Sequence, residues 1–151
     1  MDMRLRSGVH KTAERRVIQF VDDYVDNCLA YAEALIELGL IVEISHDAED
    51  AIVKARELLP IAIVMDLYLP GVDGFEATRR LKADPITRHI PVIALTGMSL
   101  TRCAKAAYDA GCALVLAKPC APERVALEIE GLTGGLGLGD VSQRVHARSL
   151  S

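Results

Sequence analysis

Five polar side chains that could act together lie at the ends of four short apolar segments. The segments cover residues 17–21, 61–65, 91–95 and 113–117, and the side chains that follow them are Asp22, Asp23, Asp66, Thr96 and Lys118. Apolar runs this short, bounded by turn residues, are typical of strands buried on both faces of a parallel sheet. Because parallel strands bring their carboxyl ends to one edge, we expect these side chains to share one crevice although they span nearly a hundred residues.

Carboxylates gathered in one crevice favour a bound cation. Asp22, Asp23 and Asp66 would repel one another, and without a counter-ion at least one is expected to have a raised pKa. Carboxylate oxygens, a backbone carbonyl and water suit Mg²⁺ better than zinc, for which no suitable histidine or cysteine lies nearby in the sequence. We therefore expect a magnesium site.

With a cation in place, Asp66 could act as a nucleophile toward a phosphoryl group and form an aspartyl phosphate. Such a transfer depends on positioning and on stabilising the charge of the equatorial phosphoryl oxygens. The metal would contact one of these oxygens, the Lys118 ammonium a second and the Thr96 hydroxyl a third. Each residue type therefore matches a task in phosphoryl chemistry.

The rest of the pattern predicts alternating strands and helices. Strands are expected at residues 17–21, 40–44, 61–66, 91–95 and 113–117, and helices at residues 24–38, 48–59, 73–83, 99–110 and 122–132. Short connections between alternating elements imply parallel pairing through right-handed crossovers, and hence a three-layer α/β sandwich. One buried helix face is predicted to hold Val25, Cys28, Leu29, Ala32, Leu35 and Ile36. Glu43 indicates that its strand lies at the sheet edge.

Composition and charge narrow the classes of function. The chain has 151 residues, of which 51% are hydrophobic and 25% charged, so it suits one domain with a sizeable core. A net charge of -4 gives no reason to expect nucleic-acid binding by the folded body. No apolar run approaches the roughly 20 residues of a membrane span, and no signal-peptide core follows the basic N-terminus. A cytoplasmic protein is therefore expected.

The cysteines and the chain ends carry less information. The four cysteines show neither a CxxC pair nor zinc-finger spacing, and we expect them to be reduced, with at least two in the core. They are Cys28, Cys103, Cys112 and Cys120. Residues 1–15 are polar and basic and are expected to form a flexible arm rather than a binding element. Residues 133–151 begin Gly-rich and are expected to form a flexible tail or the start of a linker.

Taken together, the motifs resemble those of the receiver domains of two-component response regulators. The resemblance rests on Val21-Asp22-Asp23-Tyr24, on residues 65–74, on residues 90–96 and on Lys118-Pro119, and it covers residues 16–132. It implies a flavodoxin-like five-stranded parallel sheet of order 2-1-3-4-5. It also implies that Asp66 accepts a phosphoryl group from a histidine kinase or phosphotransfer protein. The chain would be a signalling domain rather than an enzyme, limited to self-phosphorylation and slow autodephosphorylation.

The resemblance also implies partners and roles within the site. Asp23 and Asp66 would bind Mg²⁺ directly, Asp22 mainly through water, and the backbone carbonyl of Tyr68 would be another ligand. Tyr68 and Met98 would control the access of water to the aspartyl phosphate. No output module is visible in the sequence, so we expect the chain to dock on a downstream protein or to relay phosphate onward. A second copy of the chain is a further candidate partner.

Two positions depart from the usual receiver pattern. Val115 stands where receivers usually carry Tyr or Phe, and valine has no ring to swing between buried and exposed states. Gly97 follows Thr96 and loosens the backbone there. The usual coupling between the threonine and an aromatic ring is therefore not expected, and the loop after the strand at residues 91–95 is the alternative route for output.

Other interpretations stay open. Taken singly, Asp22 and Asp23 could cap a helix, Asp66 could be a loop acid, Thr96 a turn residue and Lys118 ordinary surface, but capping explains only two of the five. A magnesium-dependent phosphatase or phosphotransferase of the haloacid-dehalogenase type also uses an Asp after a strand, yet it normally has a second acid where this chain has Tyr68. A binding module that works without phosphorylation is a third interpretation, which the complete set of five side chains disfavours.

Overall fold

The computed structural model describes residues 16–134, which form five strands and five helices. The strands are β1 (Val17–Val21), β2 (Ile41–Ser45), β3 (Ala62–Asp66), β4 (Val92–Thr96) and β5 (Leu114–Ala117). The helices are α1 (Val25–Glu37), α2 (Ala48–Leu58), α3 (Gly74–Ala83), α4 (Leu100–Ala110) and α5 (Pro122–Thr133). Every predicted element is confirmed, with its ends within one residue of those expected. The predicted N-terminal arm, and the tail from residue 135, lie outside the described residues.

The strands form a single parallel sheet in the order β2-β1-β3-β4-β5, which confirms the order implied by the resemblance. In the centre of the sheet Phe20 lies opposite Val64, and Val64 lies opposite Ile93. β2 is an edge strand, as Glu43 indicated, and the Glu43 carboxylate is 3.3 Å from the Lys54 ammonium. Since all pairs are parallel, the residues that follow the strands collect at one edge of the sheet.

Helices cover both faces of the sheet and enclose two hydrophobic cores. One core joins α1 and α5 to the face of the sheet that carries Phe20, whose ring stacks on Tyr31 with centroids 4.9 Å apart. The other core joins α2, α3 and α4 to the face that carries Ile63 and Met65. Burial on both faces explains why β3 is a continuous apolar run until Asp66. None of the helices within residues 16–134 has the length and apolar character that crossing a membrane requires.

The buried face of α1 differs from the prediction. Cys28, Ala32 and Leu35 are buried, as are Tyr31 and Leu38, but three residues predicted on the same face are each more than half exposed. These exposed residues are Val25, Leu29 and Ile36. At 3.6 residues per turn they fall together on one flank of the helix, beyond the stripe that meets the sheet and α5. The sequence pattern merged this flank with the core stripe because both are apolar.

The prediction that at least two of the cysteines lie in the core is confirmed. Cys28, Cys103 and Cys112 are buried, Cys120 is partly buried, and all four are free thiols. They fill small spaces in the two cores rather than joining elements covalently.

A glycine at the start of α3 allows this helix to approach the end of β3 closely. The Gly74 N–H donates to the Leu67 carbonyl at 3.0 Å. A Cβ atom at position 74 would lie 2.7 Å from the Leu67 Cα, and nearer still to the carbonyl oxygen of Asp66. These neighbours are backbone atoms, which cannot turn away as a side chain would. Gly74 therefore fixes the path of the loop that carries Asp66.

Replacing Gly74 with alanine is expected to lower the free energy of unfolding by about 2 kcal/mol, because the added methyl group forces backbone atoms apart. Urea unfolding followed by circular dichroism measures the change. Gly131→Ala is the matched control, since a Cβ atom at position 131 in α5 meets nothing within 4 Å. Alanine is the better helix former there and should raise the free energy of unfolding by about 0.5–1 kcal/mol. Equal effects at the two positions would contradict the packing role of Gly74.

Candidate functional site

The carboxylates predicted to share a crevice meet at the carboxyl edge of the sheet. Oxygen atoms of Asp22, Asp23 and Asp66 all lie within 4.8 Å of one another. Asp22 is only 1% exposed, Asp23 is exposed and Asp66 is intermediate, so the cluster opens to solvent on the Asp23 side. Within residues 16–134 this is the one group of at least three His, Cys, Asp or Glu side chains close enough to hold a metal ion.

The Lys118 ammonium lies between two of these carboxylates. Its Nζ atom is 3.1 Å from Asp22 Oδ2 and 3.7 Å from Asp66 Oδ2. The Lys118 backbone N–H donates to the Thr96 carbonyl at 2.7 Å, which joins the end of β5 to the end of β4. One ammonium faces a cluster of three carboxylates, so the cluster retains negative charge that a divalent cation would offset.

Thr96 also lies at this edge, as predicted. In the register of β3 and β4, Asp66 pairs with Leu95. Thr96 is the residue that follows Leu95 at the end of β4. Thr96 is fully buried, and its Oγ1 atom accepts a hydrogen bond of 3.0 Å from the Met98 N–H. This bond orients the hydroxyl and leaves its proton available for donation to a further acceptor.

Tyr68 and Met98 link the loops that follow β3 and β4. The Tyr68 N–H donates to Asp66 Oδ1 at 3.0 Å, and the Tyr68 hydroxyl donates to Met98 Sδ at 2.7 Å. The Tyr68 ring meets the Phe75 ring edge-on, with centroids 5.9 Å apart. The two side chains expected to control the access of water are therefore in contact with each other.

Burial raises the pKa of Asp66, as the largest influence on that carboxyl group. The Tyr68 N–H and the Lys118 ammonium act in the opposite direction, and the charges of Asp22 and Asp23 raise the pKa further. The prediction of a raised pKa in the cluster is confirmed for Asp66. The cause is different from the one expected, because removal of Asp66 from water outweighs repulsion from its acidic neighbours.

Sequence reasoning missed two residues that bind Asp22 from the first turn of α1. The Asn27 side-chain amide donates to Asp22 Oδ2 at 2.6 Å, and the Cys28 thiol donates to the Asp22 carbonyl at 3.2 Å. Burial, with smaller contributions from nearby charges, raises the pKa of the Cys28 thiol to about 11, so the thiol stays protonated. Asn27 is the single asparagine of the chain and follows the acidic pair by about one helical turn. That spacing was the available signal.

Val115, the residue that departs from the usual receiver pattern, is buried in β5 opposite Ala94 of β4. It lines a groove of about 550 Å³ that lies between α4 and the β5–α5 loop, with Leu100 and Arg124 also in its walls. The space beside β5 is therefore an open groove with a small aliphatic side chain at its base.

The donor set fits a hard divalent cation. All three side-chain ligands are carboxylates, the preferred ligands of Mg²⁺, and the raised pKa of Asp66 reflects a charge that the protein alone compensates incompletely. Histidine and thiolate ligands, which zinc prefers, do not belong to this cluster of described residues.

In EDTA, Asp66→Asn is expected to raise the free energy of unfolding near pH 7 by about 1 kcal/mol or more, because it removes a half-buried charge beside two others. The folded state raises the pKa of Asp66 above its ordinary 3.8, so ionisation of this group opposes folding. The difference in the free energy of unfolding between Asp66→Asn and the wild type should be absent below about pH 3.8. It should grow as the pH rises through the raised pKa of Asp66. Urea unfolding across this pH range measures it.

Asp73→Asn is the control for this pH series. Asp73 is exposed and caps α3 by accepting the Glu76 N–H at 2.9 Å, a role that asparagine also fills. Its substitution should change the free energy of unfolding little at any pH. An Asp66→Asn protein that is no more stable than the wild type at neutral pH would contradict the charge argument.

Comparisons with known proteins agree with this geometry. A family model described as the response regulator receiver domain matches residues 18–130. The polar-differentiation response regulator DivK of Brucella anthropi is 31% identical over 117 residues, which cover 78% of this chain and 95% of DivK. The response regulator PleD of Caulobacter vibrioides is 38% identical over 81 residues, 54% of this chain, and this alignment spans only 18% of PleD.

Solved structures show the same fold. The receiver domain of the sensor histidine kinase PA1611 from Pseudomonas aeruginosa is 31% identical, with a TM-score of 0.74 over 80% of this chain and 98% of that one. That structure has a magnesium ion coordinated in its active site cleft. The chemotaxis protein CheY4 of Vibrio cholerae, at 22% identity and a TM-score of 0.72 over 77% of this chain and 97% of that one, shares the fold. Because the family model matches residues 18–130, which are most of this chain, the chain belongs to the response regulator receiver domains.

Proposed function

We propose that this chain is the phosphoacceptor domain of a two-component phosphorelay, and that Asp66 accepts a phosphoryl group from a histidine kinase or phosphotransfer protein. The observation that carries this proposal is the position of Asp66 at the end of β3, with two other carboxylates within 4.8 Å and an ammonium 3.7 Å away. Such a site combines a nucleophile with groups that stabilise phosphoryl oxygens.

The transfer requires an ionised Asp66. A carboxylate oxygen attacks phosphorus, the bond between phosphorus and the donor histidine nitrogen breaks, and the nitrogen leaves with the bonding electron pair. The Tyr68 N–H holds Asp66 Oδ1 at 3.0 Å, while Oδ2 lies on the Lys118 side. The carboxylate is thus oriented before the donor arrives.

Asp22, Asp23 and Asp66, with the backbone carbonyl of Tyr68, are the residues that would hold Mg²⁺. When bound, the ion supplies positive charge that offsets the carboxylates and the developing phosphoryl charge. Asp22 is buried and already accepts hydrogen bonds from Tyr24, Asn27 and Lys118, which favours a role for it through water rather than as a direct ligand. The magnesium ion in the related PA1611 receiver supports the same metal here.

Lys118 and Thr96 would stabilise the transferred group. The Lys118 chain is long and flexible, so its ammonium can turn from Asp22 toward a phosphoryl oxygen on Asp66. The Thr96 hydroxyl, oriented by the Met98 N–H, can donate its proton to another phosphoryl oxygen.

The phosphorylated domain would signal through contact with a downstream protein. DivK, of which 95% aligns with this chain, is itself called a response regulator, which supports a regulatory role for this receiver domain. The surface formed by α4 and α5 around the Val115 groove is the candidate docking surface. Beyond its own phosphorylation and the slow loss of the phosphoryl group, we propose no enzymatic activity, and we expect a cytoplasmic location.

Incubation with labelled acetyl phosphate and Mg²⁺ is expected to place one equivalent of phosphate on the wild-type chain and none on Asp66→Asn. EDTA should abolish labelling, because the cluster then lacks its compensating charge. Asp73→Asn, seven residues further on, is the matched control and should label like the wild type. Full labelling of Asp66→Asn would show that the acceptor is elsewhere. Repeated turnover of a phosphomonoester would instead favour the phosphatase interpretation, which Tyr68 disfavours by occupying the position of a second acid.

Tyr68→Ala is expected to shorten the lifetime of the aspartyl phosphate by up to about tenfold, or about 1.4 kcal/mol in the barrier, because it opens Asp66 to water. The substitution keeps the backbone carbonyl and N–H of residue 68. Loss of label after removal of the donor measures the lifetime. Tyr108→Ala on α4 is the control, since Tyr108 is 47% exposed and Tyr68 46%. Equal lifetimes for both variants would count against a shielding role for Tyr68.

A further inference from the structure

We infer that Asn27 is a positioning residue that keeps Asp22 hydrogen-bonded while Lys118 moves from Asp22 to the phosphoryl group on Asp66. This inference rests on the proposed function for the movement of Lys118. Its structural basis is that two donors share one oxygen atom. Asp22 Oδ2 accepts the Asn27 amide at 2.6 Å and the Lys118 ammonium at 3.1 Å.

Asp22 is a carboxylate that cannot be left without donors. It is 1% exposed, and its other oxygen, Oδ1, is bound by the Tyr24 N–H at 3.0 Å. A buried carboxylate that loses a hydrogen-bond donor is destabilised unless another donor takes its place. Whatever holds Oδ2 therefore determines how readily Lys118 can leave it.

Lys118 has two competing positions in the proposed reaction. At rest its Nζ atom lies nearer to Asp22, at 3.1 Å, than to Asp66, at 3.7 Å. Stabilising a phosphoryl oxygen on Asp66 requires the ammonium to shift away from Asp22. Without a second donor, this shift would strip Oδ2 of its only hydrogen bond.

The Asn27 amide is that second donor. It reaches Asp22 from the first turn of α1, and its hydrogen bond is the shorter of the two on Oδ2. It carries no charge, so it does not compete with Lys118 for the phosphoryl group. Asn27 and Lys118 also line the same groove between α1 and the β5–α5 loop.

A purely structural role for Asn27 makes a different prediction. If Asn27 only tied α1 to the end of β1, its effect on stability would be independent of Lys118, and it would not alter the rate of phosphorylation at saturating Mg²⁺. The inference instead requires that the effects of Asn27 and Lys118 depend on each other.

The first experiment is a double-mutant cycle in EDTA, which needs no phosphorylation. Urea unfolding is measured for the wild type, Asn27→Ala, Lys118→Ala and the double variant. Because either donor can satisfy Oδ2 alone, the double variant should have an unfolding equilibrium constant about tenfold larger than the two single effects multiplied, a coupling of about 1.4 kcal/mol. Glu33→Ala replaces Asn27→Ala in a control cycle, since Glu33 is an exposed residue of the same helix. The control cycle should be additive.

The second experiment measures the rate of labelling by acetyl phosphate at saturating Mg²⁺, with the Mg²⁺ dissociation constant determined separately by calorimetry. Asn27→Ala should lower the rate about tenfold, equivalent to about 1.4 kcal/mol in the barrier, because Asp22 then retains Lys118. Asn27→Asp removes the donor and adds a negative charge beside Asp22 that would also attract Lys118, so it should be slow as well.

The outcomes separate this inference from the proposed function. Normal labelling of Asn27→Ala, or an additive cycle, would overturn the role of Asn27 while leaving Asp66 as the acceptor. A weaker Mg²⁺ affinity with an unchanged saturated rate would also overturn it, since Asn27 would then shape only the metal site. Absence of labelling in the wild type would refute the proposed function and, with it, the movement of Lys118 that Asn27 is inferred to assist.

Discussion

The site depends on one ammonium group held between two carboxylates. Lys118 follows β5, yet its Nζ atom reaches Asp22 after β1 and Asp66 at the end of β3, and so it connects three strands across the sheet edge. The parallel sheet brings these positions together, because all of its strands end at the same edge. The backbone bond from Lys118 to Thr96 fixes the fourth strand in the same arrangement.

The fold prepares this site by burying its acidic residues to different depths. Asp22 is enclosed and surrounded by donors, whereas Asp66 is half-buried and has a pKa raised chiefly by burial. The fold thus tolerates an incompletely compensated charge at the position where phosphoryl chemistry is proposed. Such a charge lowers stability but strengthens the attraction for a cation and for the electrophilic phosphorus. Gly74 makes the arrangement compact, because any larger residue would push α3 away from the backbone of Asp66.

Most of the fold could be predicted from the sequence because its strands are short, doubly buried and separated by clear turn signals. The five polar side chains at strand ends were found for the same reason, since position along a strand fixes the edge where a residue lies. The spacing of Asn27 after the acidic pair was a weak signal, but its contacts and the Tyr68–Met98 bond depend on how a helix or loop sits against the sheet, which the sequence pattern does not specify. The exposed flank of α1 was missed because Val25, Leu29 and Ile36 are as apolar as the residues that the core does bury.

The route from Asp66 to a partner surface is constrained by Val115. Val115 is buried beside a groove of about 550 Å³, and it has no aromatic ring that could extend into this space. A change at Thr96 therefore meets no aromatic side chain in β5 that could move in response. Thr96 also accepts two hydrogen bonds that could transmit a change. Its backbone carbonyl accepts the Lys118 N–H, and its hydroxyl accepts the Met98 N–H in the loop before α4. Movement of the hydroxyl toward a phosphoryl oxygen would break or bend the second bond first, because the first is part of the sheet edge. Under the proposed function, the loop before α4, with Met98 in contact with Tyr68, is thus the segment through which phosphorylation would change the surface.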